Sequence, residues 1–171
     1  TSPHRFVHIS DVHAGSRSSA FVRKCITQAL SHNPDAILIT GDLLDSSAVD
    51  EKFLTPLAEI CCPSWMCLGN HERYVNIDKA INSIENHKTI ILRNTTDKHK
   101  QIRLIGIDDA DDPQQVANIL PSITLNQQEF TILLYHKPEG WQAARDHGVD
   151  LMLSGHTHAG QVWPFGLLVK R

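Results

Sequence analysis

Ala36-Ile37-Leu38-Ile39-Thr40-Gly41-Asp42 is an apolar, β-branched run closed by a glycine turn and a carboxylate. Near-continuous hydrophobicity over about five residues suits a strand buried on both faces, as in parallel sheets. Similar runs recur at residues 6–10, 65–68, 89–92, 103–107, 130–135 and 151–154. Between them, residues 20–31 place Phe21, Val22, Cys25, Ile26, Ala29 and Leu30 at helical spacing, before Asn33-Pro34. Residues 52–60 and 77–85 read as further amphipathic helices. Residues 114–120 come after a plausible start at Asp111-Asp112-Pro113, and residues 138–147 are closed by Gly148. Strand alternating with helix predicts an α/β layered domain with much of its sheet parallel. Residues 98–101, set between two runs, suggest a hairpin and hence a mixed sheet or a second, partly antiparallel one.

The residues just past each run are more telling than the run itself. Residues 6–10 lead into Asp11-Val12-His13, and 36–40 into Gly41-Asp42. Residues 65–68 lead into Gly69-Asn70-His71-Glu72, 130–135 into His136, and 151–154 into Gly155-His156-Thr157-His158. In open α/β sheets ligands bind at the carboxyl ends of the strands. One Asp or His there is usually a turn former or a satisfied structural residue. Five such ends predict a shared rim.

Composition narrows the chemistry. The 171 residues suffice for one domain with a real core, and 41% apolar with 20% charged residues describes a globular chain. A net charge of −3 without a basic patch argues against a nucleic-acid partner, while 11 histidines invite a metal reading. Cys25, Cys61, Cys62 and Cys67 form neither a C-x-x-C pair nor zinc-finger spacing and read as reduced, buried thiols, which favours the cytoplasmic side of any membrane. No apolar run approaches the roughly 18 residues of a membrane span, and no signal peptide is visible. Mixed carboxylate, amide and imidazole ligands suit Mn, Fe or Zn, with Mg also admitted, rather than Ca. Two such ions about 3.5–4 Å apart clamp the oxygens of a phosphoryl displacement and acidify a bound water. No serine or cysteine stands in a nucleophile-elbow context that would offer a different route.

These blocks resemble the calcineurin-like metallophosphoesterase superfamily, whose pattern is D-x-H, G-D, G-N-H-[DE], a lone His, and G-H-x-H. All five occur in order between residues 11 and 158. The resemblance implies a four-layer sandwich of two mixed β-sheets flanked by helices. It implies that Asp11, His13 and His158 hold one divalent ion, that Asn70, His136 and His156 hold the other, and that Asp42 bridges them. A metal-bridging hydroxide would be the nucleophile, and His71 would give a proton to the leaving oxygen. Within the superfamily, residues 155–168 (GHTHAGQVWPFGLL) and Tyr135-His136-Lys137-Pro138 look like a bacterial membrane-linked branch. That branch includes phosphodiesterases and enzymes resembling UDP-2,3-diacylglucosamine pyrophosphatases. The likeness implies a single catalytic domain over residues 1–171, lacking an N-terminal membrane segment and C-terminal strands. It implies a small phosphodiester or a nucleotide- or lipid-linked substrate, and membrane association through the missing segment. Gly41-Asp42 continues without the arginine block of protein phosphatases, which argues against that subfamily. A nuclease, a cyclic-nucleotide phosphodiesterase and a non-catalytic metal-binding scaffold are the rival readings.

Other residues carry weaker expectations. Asp108, Asp109, Asp111 and Asp112 read as a solvated loop, with a substrate-side role as the alternative. Arg73 suits a phosphate contact or an ordinary surface position. Trp163, Pro164, Phe165, Leu167 and Leu168 suit core or lid packing, or else an acyl contact. His4, His32, His87, His99 and His147 read as surface residues, and His8 as a core residue or a support to the ligands.

Overall fold

The computed structural model describes residues 3–45 and 51–158. Among these residues eight strands form two sheets of four. The first holds β1 (Phe6–Ile9), β2 (Ala36–Thr40), β3 (Ser64–Cys67) and β4 (Thr89–Ile91), side by side in that order and parallel throughout. The second holds β5 (Thr95–His99), β6 (Ile102–Ile107), β7 (Phe130–Tyr135) and β8 (Leu151–Leu153), with β5 antiparallel to β6 and the rest parallel. The second sheet is therefore mixed, with the hairpin turn where it is expected, but its first arm β5 is not among the apolar runs. The run at 89–92 lies instead in the first sheet, which is wholly parallel among the described residues.

Strand alternation builds the layers. In β2, Ile37 and Ile39 pack with Val22, Ile26 and Ala29 of helix α1 (Ser19–Leu30) and with Ala80 and Ile84 of α2 (Ile77–Glu85). Their neighbours Ala36 and Leu38 face the other way, joining Trp65, Cys67, Leu104, Ile132 and Leu134 between the sheets. On the far side, Ile105, Ile107, Leu133 and Tyr135 pack against Val116 of α3 (Gln115–Ile119) and Ala144 of α4 (Trp141–His147). The result is helix, sheet, sheet, helix, and the inner strands are apolar on both faces because both are covered.

Several local expectations change. Residues 52–60 are not one amphipathic helix but two 3₁₀ segments, Glu51–Phe53 and Thr55–Glu59; Pro56 has no N–H to continue a helix through that point. The helix expected from residue 138 begins at Trp141, because Gly140 has a left-handed backbone (φ 76°) that breaks the run from Pro138. His99 is not a free surface residue. Its ring meets Phe6 and Trp65 at centroid separations of 6.1 and 5.3 Å, plugging the gap between the sheets beside the bond from Trp65 Nε1 to Asp97 (2.7 Å). The apolar residues at 163–168 lie outside the described residues. No helix of the described residues is long and apolar enough to cross a membrane.

The thiols also depart from expectation. All four are free, but only Cys67 is buried; Cys61 is exposed, and Cys25 and Cys62 are half-buried. Burial pushes the Cys67 thiol well above its ordinary pKa, and a thiol without thiolate character reacts slowly. In a native labelling time course with iodoacetamide, Cys61 should modify first and Cys67 only after denaturant is added. Labelling of Cys67 in the native state would contradict this packing.

Candidate metal centre

Three parallel strands of the first sheet and two of the second end at one rim. Asp11 and His13 follow β1, Asp42 follows β2, Asn70 and His71 follow β3, His136 follows β7, and His156 and His158 follow β8. The loops are laced together. The amides of Asp11 and His13 donate to the carbonyls of Gly41 (3.2 Å) and Asp42 (2.9 Å), and Gly155 N–H donates to the His136 carbonyl (2.9 Å). His156 N–H donates to both carboxylate oxygens of Asp11 at 3.1 Å, which joins the two sheets at the rim.

Metal-ligating atoms gather in three overlapping groups, each with its atoms within 4.8 Å of one another: Asp11, His13 and His158; His13, Asp42 and His71; Asp42, His136 and His156. Asn70 joins the last group through its Oδ1, 3.1 Å from His136 Nε2. All eight residues singled out from the sequence thus lie together, and Asp42 stands in two groups.

The donor set fits a cation. His136 Nδ1 lies 2.7 Å from the Thr40 carbonyl, which can only accept, so the proton of a neutral ring sits on Nδ1. Its Nε2 then faces Asn70 Oδ1 at 3.1 Å, Asp42 Oδ2 at 3.2 Å and His156 Nδ1 at 3.2 Å. One proton on Nε2 can serve one of these three atoms; a divalent ion can serve them all. Burial is the largest single influence on both His136 and Asp42 and opposes their charge, but their mutual hydrogen bond, their charge attraction and their backbone partners together outweigh it. The His136 pKa is raised and the Asp42 carboxyl is held below its ordinary range, helped by the Thr40 carbonyl and the His71 amide respectively.

Backbone conformation marks the same residues. Among the described residues nine non-glycine positions have positive φ, and five belong to this cluster: Asp11 (56°), His13 (54°), Asp42 (51°), His156 (70°) and His158 (50°). Such conformations cost roughly 1–3 kcal/mol each and concentrate at functional sites.

Two supports, Glu72 and Asp45, carry no expectation of that role from the sequence, although Glu72 is a letter of the third motif. Glu72, fully buried, accepts the amides of Asp42 (2.9 Å), Leu44 (2.9 Å) and Gly69 (2.7 Å), tying the loop after β2 to the loop after β3. Burial pushes the Glu72 carboxyl up, against the pull of the Leu44 and Gly69 amides. Asp45 takes the Ser16 amide (2.8 Å) on one oxygen and stands 3.3 Å from His13 Nδ1 with the other, which turns His13 Nε2 toward the cluster. A carboxylate behind a ligating imidazole is the general signal for such a residue. His8, exposed rather than core, takes the supporting alternative: it reaches Thr40 Oγ1 at 2.7 Å, behind the carbonyl that orients His136.

The acidic loop after β6 is only partly solvated. Asp109 is buried between Arg73 and Lys137, each 2.9 Å away, whereas Asp111 is exposed and closes on Arg73 at 2.7 Å. Arg73 is therefore committed to two carboxylates rather than free for phosphate. The ion pairs join the loops after β3, β6 and β7, spacings that no local pattern reveals. His71 lies at the mouth, its side chain 37% exposed and its Nε2 3.9 Å from Asp42 Oδ2.

Comparison with known proteins agrees with this geometry. The calcineurin-like phosphoesterase family matches residues 4–160. An uncharacterized metallophosphoesterase of Helicobacter pylori is 35% identical over 176 residues, covering 97% of this chain and 47% of that protein. Phosphodiesterase YaeI of Escherichia coli is 30% identical over 178 residues, covering 94% of this chain and 63% of that protein. The chain thus spans about half the length of the first of these relatives. The solved phosphopantetheinyl hydrolase PptH of Mycobacterium tuberculosis superposes with a TM-score of 0.61 at 13% identity, over 90% of this chain and 83% of that one, a likeness of fold. With the motif residues gathered at one rim and the family matched along almost the whole chain, this protein belongs to the calcineurin-like phosphoesterase family.

Proposed function

We propose that this chain is the catalytic unit of a dinuclear metal-dependent phosphoester hydrolase, acting on a phosphodiester or pyrophosphate. The observation that carries the proposal is the pair of ligand groups, Asp11 with His13 and His158, and Asp42 with His136 and His156, meeting at the rim where the strands of both sheets end. In this reading Asn70 completes the second group and the Asp42 carboxylate is shared by both. Two ions of the Mn, Fe or Zn type would polarise the phosphoryl oxygens and supply hydroxide at neutral pH. The chain's own part is to fix that geometry and to handle the leaving group. His71, exposed at the mouth with its amide held by Asp42 Oδ1 (2.9 Å), is placed to give a proton to the departing oxygen.

A diester is favoured over a monoester because a relative at 30% identity bears the name phosphodiesterase. The resemblance of residues 155–168 to a membrane-linked branch supports work close to a membrane, with a lipid-linked pyrophosphate as the finer alternative. The net charge of −3 disfavours a nuclease.

The test is hydrolysis of bis(p-nitrophenyl) phosphate beside p-nitrophenyl phosphate, on metal-stripped protein reconstituted with Mn, Zn, Fe or Mg. Turnover should be absent without metal, return on reconstitution, and be faster for the diester. Protein that binds two ions per chain yet hydrolyses neither ester would replace this reading with that of a metal-binding scaffold.

A further inference from the structure

A cavity of about 310 Å³ opens beside Asp11, His13 and His158, on the side of α1, and takes the rest of its wall from Ile9, Arg17 and Phe21 among others. We infer that this cavity receives the organic part of the substrate and that Arg17 binds a second anionic group carried there. The inference rests on the phosphoester reading and names the class of ester: one whose substituent bears a further phosphate or carboxylate.

Three candidate ligands form one wall, so a phosphoryl group held by them has this cavity immediately beside it. The volume is at the small end of what ligand pockets enclose, roughly 300–1,000 Å³. Its walls are of two kinds. Ile9 and Phe21 offer apolar surface, and Phe21 is 42% exposed although it is large and aromatic. Arg17 supplies the cation, its guanidinium 5.6 Å from the centre of the Phe21 ring.

Arg17 is set apart by what it does not do. Among the described residues Arg5, Arg23, Arg73, Arg93, Arg103 and Arg145 each bond a carboxylate or a carbonyl through the side chain. The Arg17 side chain makes no such bond to any described residue; its partner is the Phe21 face. The backbone is nonetheless fixed, with Arg17 N–H donating to the His13 carbonyl (2.9 Å) and its own carbonyl accepting from Gly15 (3.3 Å). A guanidinium anchored through its main chain to a candidate ligand, backed by an aromatic ring and with no side-chain hydrogen bond to any described residue, suits an anion arriving with the substrate.

Binding tests this apart from catalysis. Calorimetry on metal-loaded protein would compare thymidine 3′,5′-bisphosphate with thymidine 5′-monophosphate, in the natural chain, in Arg17→Gln and in Arg23→Gln. The bisphosphate should bind at least about tenfold more tightly, the yield of one charge-assisted hydrogen bond. That ratio should fall toward one in Arg17→Gln and persist in Arg23→Gln, a change within the nearby helix α1 at a side chain that bonds Glu59. A ratio near one in the natural chain, or one that Arg17→Gln leaves intact, would overturn the inference. If the ratio behaves as expected while the nitrophenyl esters are not turned over, the subsite stands and the hydrolase reading falls.

Discussion

Replacing Asp42 with asparagine is expected to reduce metal-dependent hydrolysis by more than about 10³-fold while leaving the chain folded. Removing an outer partner of a metal ligand already costs about 10–100-fold, so a carboxylate shared by two ions should cost more. Asparagine is the informative replacement for three reasons. Its amide oxygen can keep the bond from the His71 amide that Asp42 Oδ1 now accepts at 2.9 Å. It tolerates the left-handed backbone found here, φ 51°. It removes only the charge that holds His136 Nε2 at 3.2 Å and, in the proposed site, both ions. Turnover with metal counted per chain is the measurement; two ions should fall to one. Full activity in Asp42→Asn would show that Asp42 is not the shared ligand.

The second large effect is on stability. Glu72→Ala should cost about 4 kcal/mol or more, a large part of the 5–15 kcal/mol typical of a domain. Three buried amides, those of Asp42, Leu44 and Gly69, would lose their acceptor together, and each stranded donor costs roughly 1–3 kcal/mol. The loops that Glu72 ties together are closely packed. A Cβ at Gly69 would strike Asp42 Oδ1 and come 3.0 Å from His136 Nδ1, so the loops are already in contact there. Glu72→Gln should be far milder. Its oxygen can still accept the Asp42 and Gly69 amides, leaving mainly the Leu44 amide without an acceptor, and burial already disfavours the charge it removes. Urea midpoints of the metal-free proteins measure both. An alanine variant within 1 kcal/mol of the natural chain would mean these hydrogen bonds do not hold the loops.

Much of this was legible because both faces of the inner strands are covered. A run such as 36–40 suits a buried strand, and the polar residue after it then stands at the strand's carboxyl end. The turn at 98–101 is legible, but its first arm Thr95–His99 is too polar to read as a run, and the run at 89–92 belongs to the other sheet. Relations between distant segments did not show. Glu72 was visible as a motif letter, but the amides it accepts depend on how the loops after β2 and β3 nest. Asp109 looked like one more acid in a polar loop. Its partners Arg73 and Lys137 come from other strand ends, and only the fold makes it buried. His99 reads as a surface residue in the sequence, yet its ring meets Phe6 and Trp65 between the two sheets. The break in the helix expected at 52–60 is a local matter, since Pro56 stands within that stretch.

The left-handed backbone at Asp11, His13, Asp42, His156 and His158 bears on how such a site can change over evolutionary time. Glycine is the residue that relieves this strain fully, and it also removes the chelating atom. At all five positions, drift toward a more comfortable chain therefore runs directly against retention of the donor. Glycine at His13 or His158 would ease the backbone as it emptied the site, whereas at Asp11 and Asp42 it would also strand the amides of His156 and His71. Aspartate and histidine at all five positions are what the proposed metal site would require in spite of that strain.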